Sequence, residues 1–256
     1  MKSMSRVTVL SAAISLILFS MPLIAQEADD RIERSAKTSY VFVTYLQNDD
    51  IRVESDEGVV TLSGTVAEAF HKALAEDTAS SLPGVKHVKS ELSIENLRSG
   101  ENSDARLTTK VKSTLLFHHN VGAVTDVSAV GGVVTLRGNA DNQAQKNLAA
   151  EYAKDIEGVA DVKNEIAVVD KPRQNADSGY KIDDASITSQ VKMVLMSYRS
   201  TSSLYTGVAT QDGEVTLSRM ARNEAERTLA SKIVGDVKGV EKVNNTMTIA
   251  MPVANL

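Results

Sequence analysis

One short phrase occurs three times along the chain and limits the folds that the chain can adopt. A glycine followed by alternating apolar and polar residues begins the segments 58–64, 132–138 and 213–219. The alternation has a period of two, which is typical of a β-strand with one buried face. A Gly-Val pair follows each of these glycines at the same distance of 26 residues. The shared phrase and spacing predict three copies of one small folding unit.

The residues around each phrase predict the rest of the unit. A second alternating run precedes the phrase, so the two runs form a hairpin whose tight turn needs the positive φ of glycine. Apolar residues at helical spacing lie before and after the hairpin, and a third alternating run ends the unit. The motif glycines at turns, strand ends and helix ends are Gly58, Gly64, Gly84, Gly132, Gly138, Gly158, Gly213 and Gly239. The order α-β-β-α-β predicts an α+β fold of three tandem modules, each a three-stranded mixed sheet covered on one face by two helices.

The module boundaries follow from the repeat and from polar linkers. The predicted modules are residues 29–95 (module 1), 104–169 (module 2) and 184–250 (module 3). The second linker is the longer one, so we expect module 3 to be more loosely attached. Asp104 and Asp184 are the predicted N-caps of the first helices of modules 2 and 3. Asp141 is the predicted N-cap of the second helix of module 2.

The N-terminal segment has the character of an export signal. Lys2 and Arg6 precede an apolar run over residues 7–19, and small residues end at Ala25. We expect a signal peptide over residues 1–25, cleaved after about Ala25, and in a bacterium a periplasmic protein with no transmembrane segment in the mature chain. An uncleaved membrane anchor is the alternative. The sequence contains no cysteine, so neither a disulfide framework nor a lipoprotein anchor is expected.

The charge is uneven along the chain. Module 1 has 13 acidic and 7 basic residues, module 2 has 8 and 7, and module 3 has 7 and 8. Affinity for anionic surfaces should therefore increase toward the C-terminal end. The large basic patch that is typical of nucleic-acid binders is missing, so we expect no nucleic-acid partner.

The repeated positions also resemble those of a known family, the BON domain. The resemblance is clearest in module 2, at Leu107, Leu115, Gly132, Val134, Leu136, Gly138, Leu148, Ala149, Gly158, Val159, Val162 and Asn164. It implies a role in envelope stress, association with phospholipid surfaces and no catalysis. Module 3 departs from the pattern because Arg219 replaces the glycine found at 64 and 138. Arginine lacks the conformational freedom of glycine, so we expect the end of that strand to be disturbed.

Residues that could carry chemistry are few. The four histidines are His71, His87, His118 and His119. Adjacent histidines on a helix point in different directions, so we expect solvated or capping side chains, and neither a metal site nor a cofactor. Gly131 and Gly132 join two strands and do not open a helix, which argues against a phosphate-binding loop. An enzyme is therefore not expected.

A lipid-binding surface is the more specific candidate. On the first helix of module 2, basic residues lie on both sides of a stripe that ends in a leucine and an aromatic residue. The candidate residues are Arg106, Lys110, Lys112, Leu116 and Phe117. Such a stripe can dock on anionic headgroups. The alternative is that Phe117 packs against its own sheet or a neighbouring module.

A second basic run in module 3 is a weaker candidate. It consists of Arg219, Arg222, Arg227 and Lys232, and glutamates interrupt it, so a solvated helix face is expected.

Two functions remain open for the whole chain. The first is a non-enzymatic protein of osmotic or envelope stress that binds anionic phospholipid surfaces. The second is a periplasmic chaperone that holds unfolded exported or outer-membrane proteins on the uncovered face of its sheets.

Overall fold

A computed structural model describes residues 21–95, 103–121, 124–169, 181–201 and 206–249. Module 1 contains α1 (Met21–Thr38), α2 (Tyr40–Thr44), β1 (Asp50–Asp56), β2 (Val59–Val66), α3 (Ala69–Ser80) and β3 (His87–Ile94). Module 2 contains α4 (Ser103–Leu116), β4 (Val124–Val130), β5 (Val133–Ala140), α5 (Gln143–Asp155) and β6 (Asp161–Val168). Module 3 contains α6 (Asp184–Ser197), β7 (Thr206–Gln211), β8 (Glu214–Ala221), α7 (Glu224–Gly235), β9 (Lys242–Asn245) and β10 (Thr248–Ile249). Within these ranges, no helix is both long and apolar enough to cross a membrane.

The predicted fold class is confirmed. In each module the first two strands form an antiparallel hairpin, and the third strand runs parallel to the second, which lies in the centre of the sheet. The second helix makes the crossover between these two parallel strands. Along β2, the buried residues Val60, Leu62 and Val66 face the helices and alternate with polar residues on the other face. The buried apolar residues of all three modules join one continuous core.

An aspartate of each first helix fixes the hairpin turn of its module. Its carboxylate accepts hydrogen bonds of 2.8 to 3.1 Å from two backbone N–H groups of the turn. The three sets are Asp29 with Glu57 and Gly58, Asp104 with Gly131 and Gly132, and Asp184 with Asp212 and Gly213. The hydrogen bonds from the Ser55 hydroxyl and the Gly58 N–H are the main reasons why the pKa of Asp29 is lowered.

The predicted helix caps are therefore wrong. Asp104 and Asp184 lie inside their helices, with the carboxylate directed to the turn instead of to the helix N-terminus. The N-cap of α6 is Asp183, which accepts a hydrogen bond from the Ser186 N–H at 2.9 Å. The predicted cap Asp141 is also displaced by one residue, because Asn142 caps α5 and accepts from the Gln145 N–H at 2.9 Å.

Arg219 adopts the backbone conformation of the glycine that it replaces. Its φ is +83°, compared with +115° at Gly64 and +144° at Gly138. The expected disturbance at the end of its own strand is wrong, because β8 continues to Ala221. The disturbance lies in the third strand instead, which is one continuous strand in modules 1 and 2. In module 3 it is interrupted between β9 and β10, beside Arg219.

Removing the side chain at this position should stabilise the protein. We expect Arg219→Gly to increase the free energy of unfolding by about 1 kcal/mol, because a left-handed conformation is strained for a residue with a Cβ atom. Chemical denaturation followed by circular dichroism measures the change. The matched control is Arg219→Ala, which removes the long side chain but keeps the Cβ atom and its strain. A gain of equal size in the alanine variant would contradict this explanation.

Module 3 is held at the centre of the molecule, so the expectation of a looser attachment is wrong. Apolar and polar residues of α6 are buried together, including Ile187, Val194, Ser186, Ser189 and Gln190. This helix packs against α3 of module 1. The links between modules 1 and 3 are Tyr40 N to Asp183 Oδ2 (2.8 Å), Val41 N to Ser186 Oγ (3.1 Å), Thr78 Oγ1 to Ser189 Oγ (2.8 Å) and Lys192 Nζ to Asp77 Oδ1 (3.5 Å). These contacts bury a helix that would otherwise be half-exposed.

Candidate lipid-binding face and the junction of modules 2 and 3

Three of the five candidate lipid-binding residues lie on the exposed side of α4. Arg106 and Lys112 are exposed, and Leu116 at the end of the helix is 40% exposed. Lys110 is partly buried and donates a hydrogen bond to the carbonyl oxygen of Glu157 at 3.3 Å. Burial lowers the pKa of Lys110, and the Glu157 carboxylate opposes that shift. Lys110 is therefore tied to its own module and is less available to a ligand than the other two cations.

Phe117 is not available to lipid in this structure. Its side chain is fully buried between modules 1 and 2. Its ring stacks on Phe70, with centroids 5.8 Å apart, and meets the edge of Tyr45 at 4.9 Å. The interpretation of Phe117 as an exposed aromatic is wrong, and the alternative of packing against a neighbouring module is confirmed. The physical reason is that α4 ends at Leu116, so helical spacing no longer gives the direction of the next side chain.

The equivalent helix of module 3 does not offer the same face. Lys192 and Met196 of α6 correspond to Lys112 and Leu116 of α4 in the repeat. Met196 is exposed, but Lys192 lies 3.5 Å from the Asp77 carboxylate of module 1. The remainder of α6 is buried by the other modules. Of the two helices, α4 is therefore the one that presents cations and an apolar side chain together.

The predicted helix face is correct for only half of the second basic run. Arg227 and Lys232 lie on α7, whereas Arg219 lies on β8 and Arg222 follows that strand. Arg222 pairs with Glu226 at 2.5 Å, and Arg227 pairs with Glu224 at 2.8 Å. These exposed pairs neutralise the cations that an anionic surface would need. Lys232 is also exposed on α7.

The histidines divide into two groups. His87 and His119 are exposed, as predicted, whereas His71 is partly buried, with Nδ1 2.7 Å from the Asp49 carboxylate. His118 is buried, so the prediction of a solvated side chain is wrong there. Across the described ranges, no group of three or more His, Cys, Asp or Glu residues is placed to hold a metal ion.

Modules 2 and 3 dock reciprocally through the ends of their helices. His118 at the end of α4 makes a β-bridge with Val237 beyond α7, and Tyr198 at the end of α6 makes the corresponding bridge with Ile156 beyond α5. Four backbone hydrogen bonds cross this junction: His119 N to Asp236 O (2.7 Å), Lys238 N to Phe117 O (2.8 Å), Arg199 N to Asp155 O (2.8 Å) and Glu157 N to Ser197 O (3.0 Å). The repeat relates the two halves of the junction by a pseudo-two-fold axis.

A buried polar cluster lies at the centre of this junction. The Tyr198 hydroxyl is 2.6 Å from His118 Nε2, and His118 Nδ1 is 3.3 Å from Asp236 Oδ2. The Tyr152 ring stacks on His118 with centroids 4.2 Å apart. The Asn120 backbone and side-chain N–H groups both donate to Asp236 Oδ1. The sequence repeat did not reveal this cluster, because His118 and Tyr198 are different residues at equivalent positions.

The uncovered faces of the sheets are mainly polar. The central strands present Thr61, Ser63 and Thr65 in module 1, with Thr135 and Thr216 at corresponding places in the other modules. Outer strands add charged pairs such as Lys242 with Glu214 and Arg137 with Glu165. These faces do not supply the apolar grooves from which a chaperone role was expected.

The repeat, the glycine turns and the mixed three-stranded sheets define a protein built of tandem small α+β modules. Residues 28–96, 103–170 and 183–251 match the family model of the BON domain, and the chain belongs to the BON domain family. The similarity predicted from the motif residues is thereby confirmed.

The chain is similar to several curated proteins and solved structures, among them the following two of each. Osmotically-inducible protein Y of Escherichia coli (strain K12) is 36% identical over 146 residues, which is 56% of this chain and 71% of that protein. The "Uncharacterized protein in gshII 5'region" of Anaplasma centrale is 29% identical over 116 residues, which is 44% of this chain and 77% of that protein. Two structures of CdsD, a structural protein of the type III secretion system of Chlamydia trachomatis, align with a TM-score of 0.23 at 14% identity. They cover 94% and 86% of this chain and 100% and 92% of their own, and a score this low supports no argument.

Proposed function

We propose that this protein is a non-enzymatic, exported protein of osmotic or envelope stress that docks reversibly on anionic phospholipid surfaces. The observation that carries the proposal is the exposed side of α4, where the cations Arg106 and Lys112 are exposed together with the apolar Leu116. Cations beside an exposed apolar side chain allow a helix to contact headgroups and the acyl boundary together. The similarity to Osmotically-inducible protein Y supports the stress context.

The expected binding is weak and depends on salt. Each lysine or arginine near an anionic surface contributes about 1 kcal/mol, and this contribution decreases with ionic strength. Two exposed cations on α4 therefore supply only part of the energy of a stable anchor. The whole chain carries a formal net charge of −5, and module 1 is its most acidic part, so docking through α4 is favoured when module 1 is directed away from the surface.

Charge reversal on α4 tests the proposal. We expect Lys112→Glu combined with Leu116→Ser to weaken binding to vesicles of phosphatidylglycerol and phosphatidylcholine about tenfold, because it removes a cation and the exposed apolar side chain. Co-sedimentation with vesicles of this composition and with pure phosphatidylcholine vesicles measures the effect. Lys232→Glu on α7 is the matched control, with the same charge change on an ion-paired face. Equal loss in both variants, or no binding at low salt, would refute the α4 site.

The alternative function, a chaperone for unfolded exported or outer-membrane proteins, is separated by a lipid-free measurement. Light scattering of an aggregating unfolded protein, with and without an equimolar amount of this chain, reports holding activity directly. A lipid-docking protein with polar sheet faces should leave aggregation unchanged. Suppression that persists in the double α4 variant would favour the chaperone.

Export through a cleaved signal peptide is part of the proposal. Residues 1–20, which contain most of the predicted signal, lie outside the described residues, and the predicted cleavage point near Ala25 falls at the start of α1. The intact mass of the protein recovered from the periplasm should correspond to loss of about the first 25 residues. A full-length mass would support the uncleaved anchor instead.

A further inference from the structure

We propose that the junction between modules 2 and 3 is an acid-sensitive latch, in which protonation of Asp236 releases module 2 from module 3. This inference is independent of the lipid-binding proposal. It rests on an ionisable cluster whose members come from both modules and are removed from water only while the modules are docked. The His118 side chain is 0% exposed and the Asp236 side chain is 8% exposed.

The Tyr198 hydroxyl bonds to His118 Nε2, whereas His118 Nδ1 and Asp236 Oδ2 approach to 3.3 Å as an ion pair without a hydrogen bond of good geometry. A neutral imidazole with its proton on Nδ1 directs that proton toward Asp236 and accepts a hydrogen bond from the Tyr198 hydroxyl at Nε2. A charged imidazole donates from both nitrogens, with Asp236 as its counter-ion and the Tyr198 oxygen as acceptor.

Protonation of Asp236 has a different consequence. It leaves a charged His118 buried without a counter-ion, and an unpaired buried charge is strongly unfavourable. It also weakens the two hydrogen bonds that Asn120 donates to Asp236 Oδ1, because a neutral carboxyl group is a poorer acceptor. Separation of the modules returns both groups to water and removes this cost. Acid should therefore favour the undocked arrangement.

The other ionisable groups at the junction do not take the place of Asp236 as the counter-ion of His118. Tyr152 stacks on His118 from α5, and burial raises the pKa values of both Tyr152 and Tyr198. Asp155 at the end of α5 bonds to Ser200 in the reciprocal half of the junction. Lys238 follows Asp236 and is half-buried, and burial lowers its pKa. None of these groups offers His118 a second carboxylate.

The pKa of the Asp236 carboxylate gives the direction in which pH changes the stability of the docked state. Burial on its own would raise the pKa of Asp236, but the hydrogen bond and charge of His118, with hydrogen bonds from Tyr152 and Asn120, lower it overall. An aspartate whose pKa is lowered by docking stabilises the docked state above its ordinary pKa of 3.8. That stabilisation is lost as the pH falls through the lowered value. Opening then exposes Ile156, Tyr198 and Val237, which are buried in the docked state.

Amide hydrogen exchange tests the latch on the full chain. The four backbone N–H groups that cross the junction belong to His119, Glu157, Arg199 and Lys238. Their protection factors, corrected for the intrinsic exchange rate at each pH, should fall about tenfold between pH 7 and pH 2, because the loss begins below the ordinary pKa of 3.8 and is complete only below the lowered value. Amides of the β1–β2 and β4–β5 hairpins should keep their protection, because the modules themselves stay folded.

Two variants separate the latch from general acid unfolding. Asp236→Asn should lower junction protection at pH 7 and remove most of its pH dependence. Asp155→Asn is the matched control, because Asp155 is the repeat equivalent of Asp236 but faces Ser200 instead of a histidine. This variant should keep the wild-type pH response. The proposal is overturned if the wild-type junction keeps its protection at pH 2, if hairpin and junction amides lose protection together, or if Asp236→Asn responds to pH as the wild type does.

Discussion

Replacing Gly64 by alanine should lower the free energy of unfolding by about 3–5 kcal/mol, from the combined cost of a left-handed backbone and a steric overlap. Gly64 has a φ of +115°, and a Cβ atom at this position would lie 2.0 Å from the backbone oxygen of Asp50. The overlap is with the backbone of the neighbouring strand, so no side-chain rotation relieves it. Strand β1 would have to move away from β2. Urea denaturation followed by circular dichroism measures the loss.

Gly131 offers a matched control for this prediction. Its φ is +58°, and a Cβ atom there would meet no heavy atom within 4 Å. Gly131→Ala therefore introduces the backbone strain without the overlap and should cost only about 1 kcal/mol. If the two variants lose equal stability, the close approach of β1 to Gly64 is not the cause.

Phe117→Ala should be the most destabilising of the changes at the predicted lipid-binding residues, with an expected loss of about 3–5 kcal/mol. The ring is completely buried and contacts Tyr45 and Phe70 of module 1, so its removal leaves a cavity between two modules. The loss should appear as a lower denaturation midpoint in the full chain. It should also weaken the attachment of module 2 to module 1.

The neighbouring residue is the natural comparison. Leu116→Ala should change stability by less than about 0.5 kcal/mol, because the side chain is 40% exposed and lies on the solvent side of α4. The same variant should weaken vesicle binding. Phe117→Ala should instead lower stability and leave vesicle binding unchanged, if the variant stays folded. A Phe117→Ala protein of normal stability that no longer binds vesicles would contradict the buried position of this ring.

The sequence was sufficient to predict the architecture inside each module. Strand alternation, hairpin glycines and helical spacing are local signals, and three copies of each removed most of the ambiguity. The aspartates at 29, 104 and 184 also repeat, but the sequence suggested helix caps for Asp104 and Asp184 because that is the commonest use of such a residue. Their bonds to the hairpin turns depend on how the helix lies across the sheet, which local patterns do not give.

These local signals could not predict how the modules are arranged relative to one another. Phe117 and His118 follow the end of α4, where helical periodicity ceases to predict which way a side chain points. The amino-acid composition of α6, in contrast, does indicate its buried position. Apart from Asp184 and Lys192 this helix has no charged residue, whereas α4 carries three basic residues and one acidic residue. A helix with small, uncharged polar residues on all of its sides is typically surrounded by protein and not by water.

The enclosed position of α6 has a consequence for the order in which the molecule can be assembled. Ribosomes make the chain from its N-terminus, and domains fold as units in that order. The groups of module 1 that α6 covers, such as the Thr78 hydroxyl and the Val41 amide, have no partner from this helix until residues 184–197 have been synthesised. The first two modules therefore stay incomplete until α6, which is synthesised after both of them, packs against module 1.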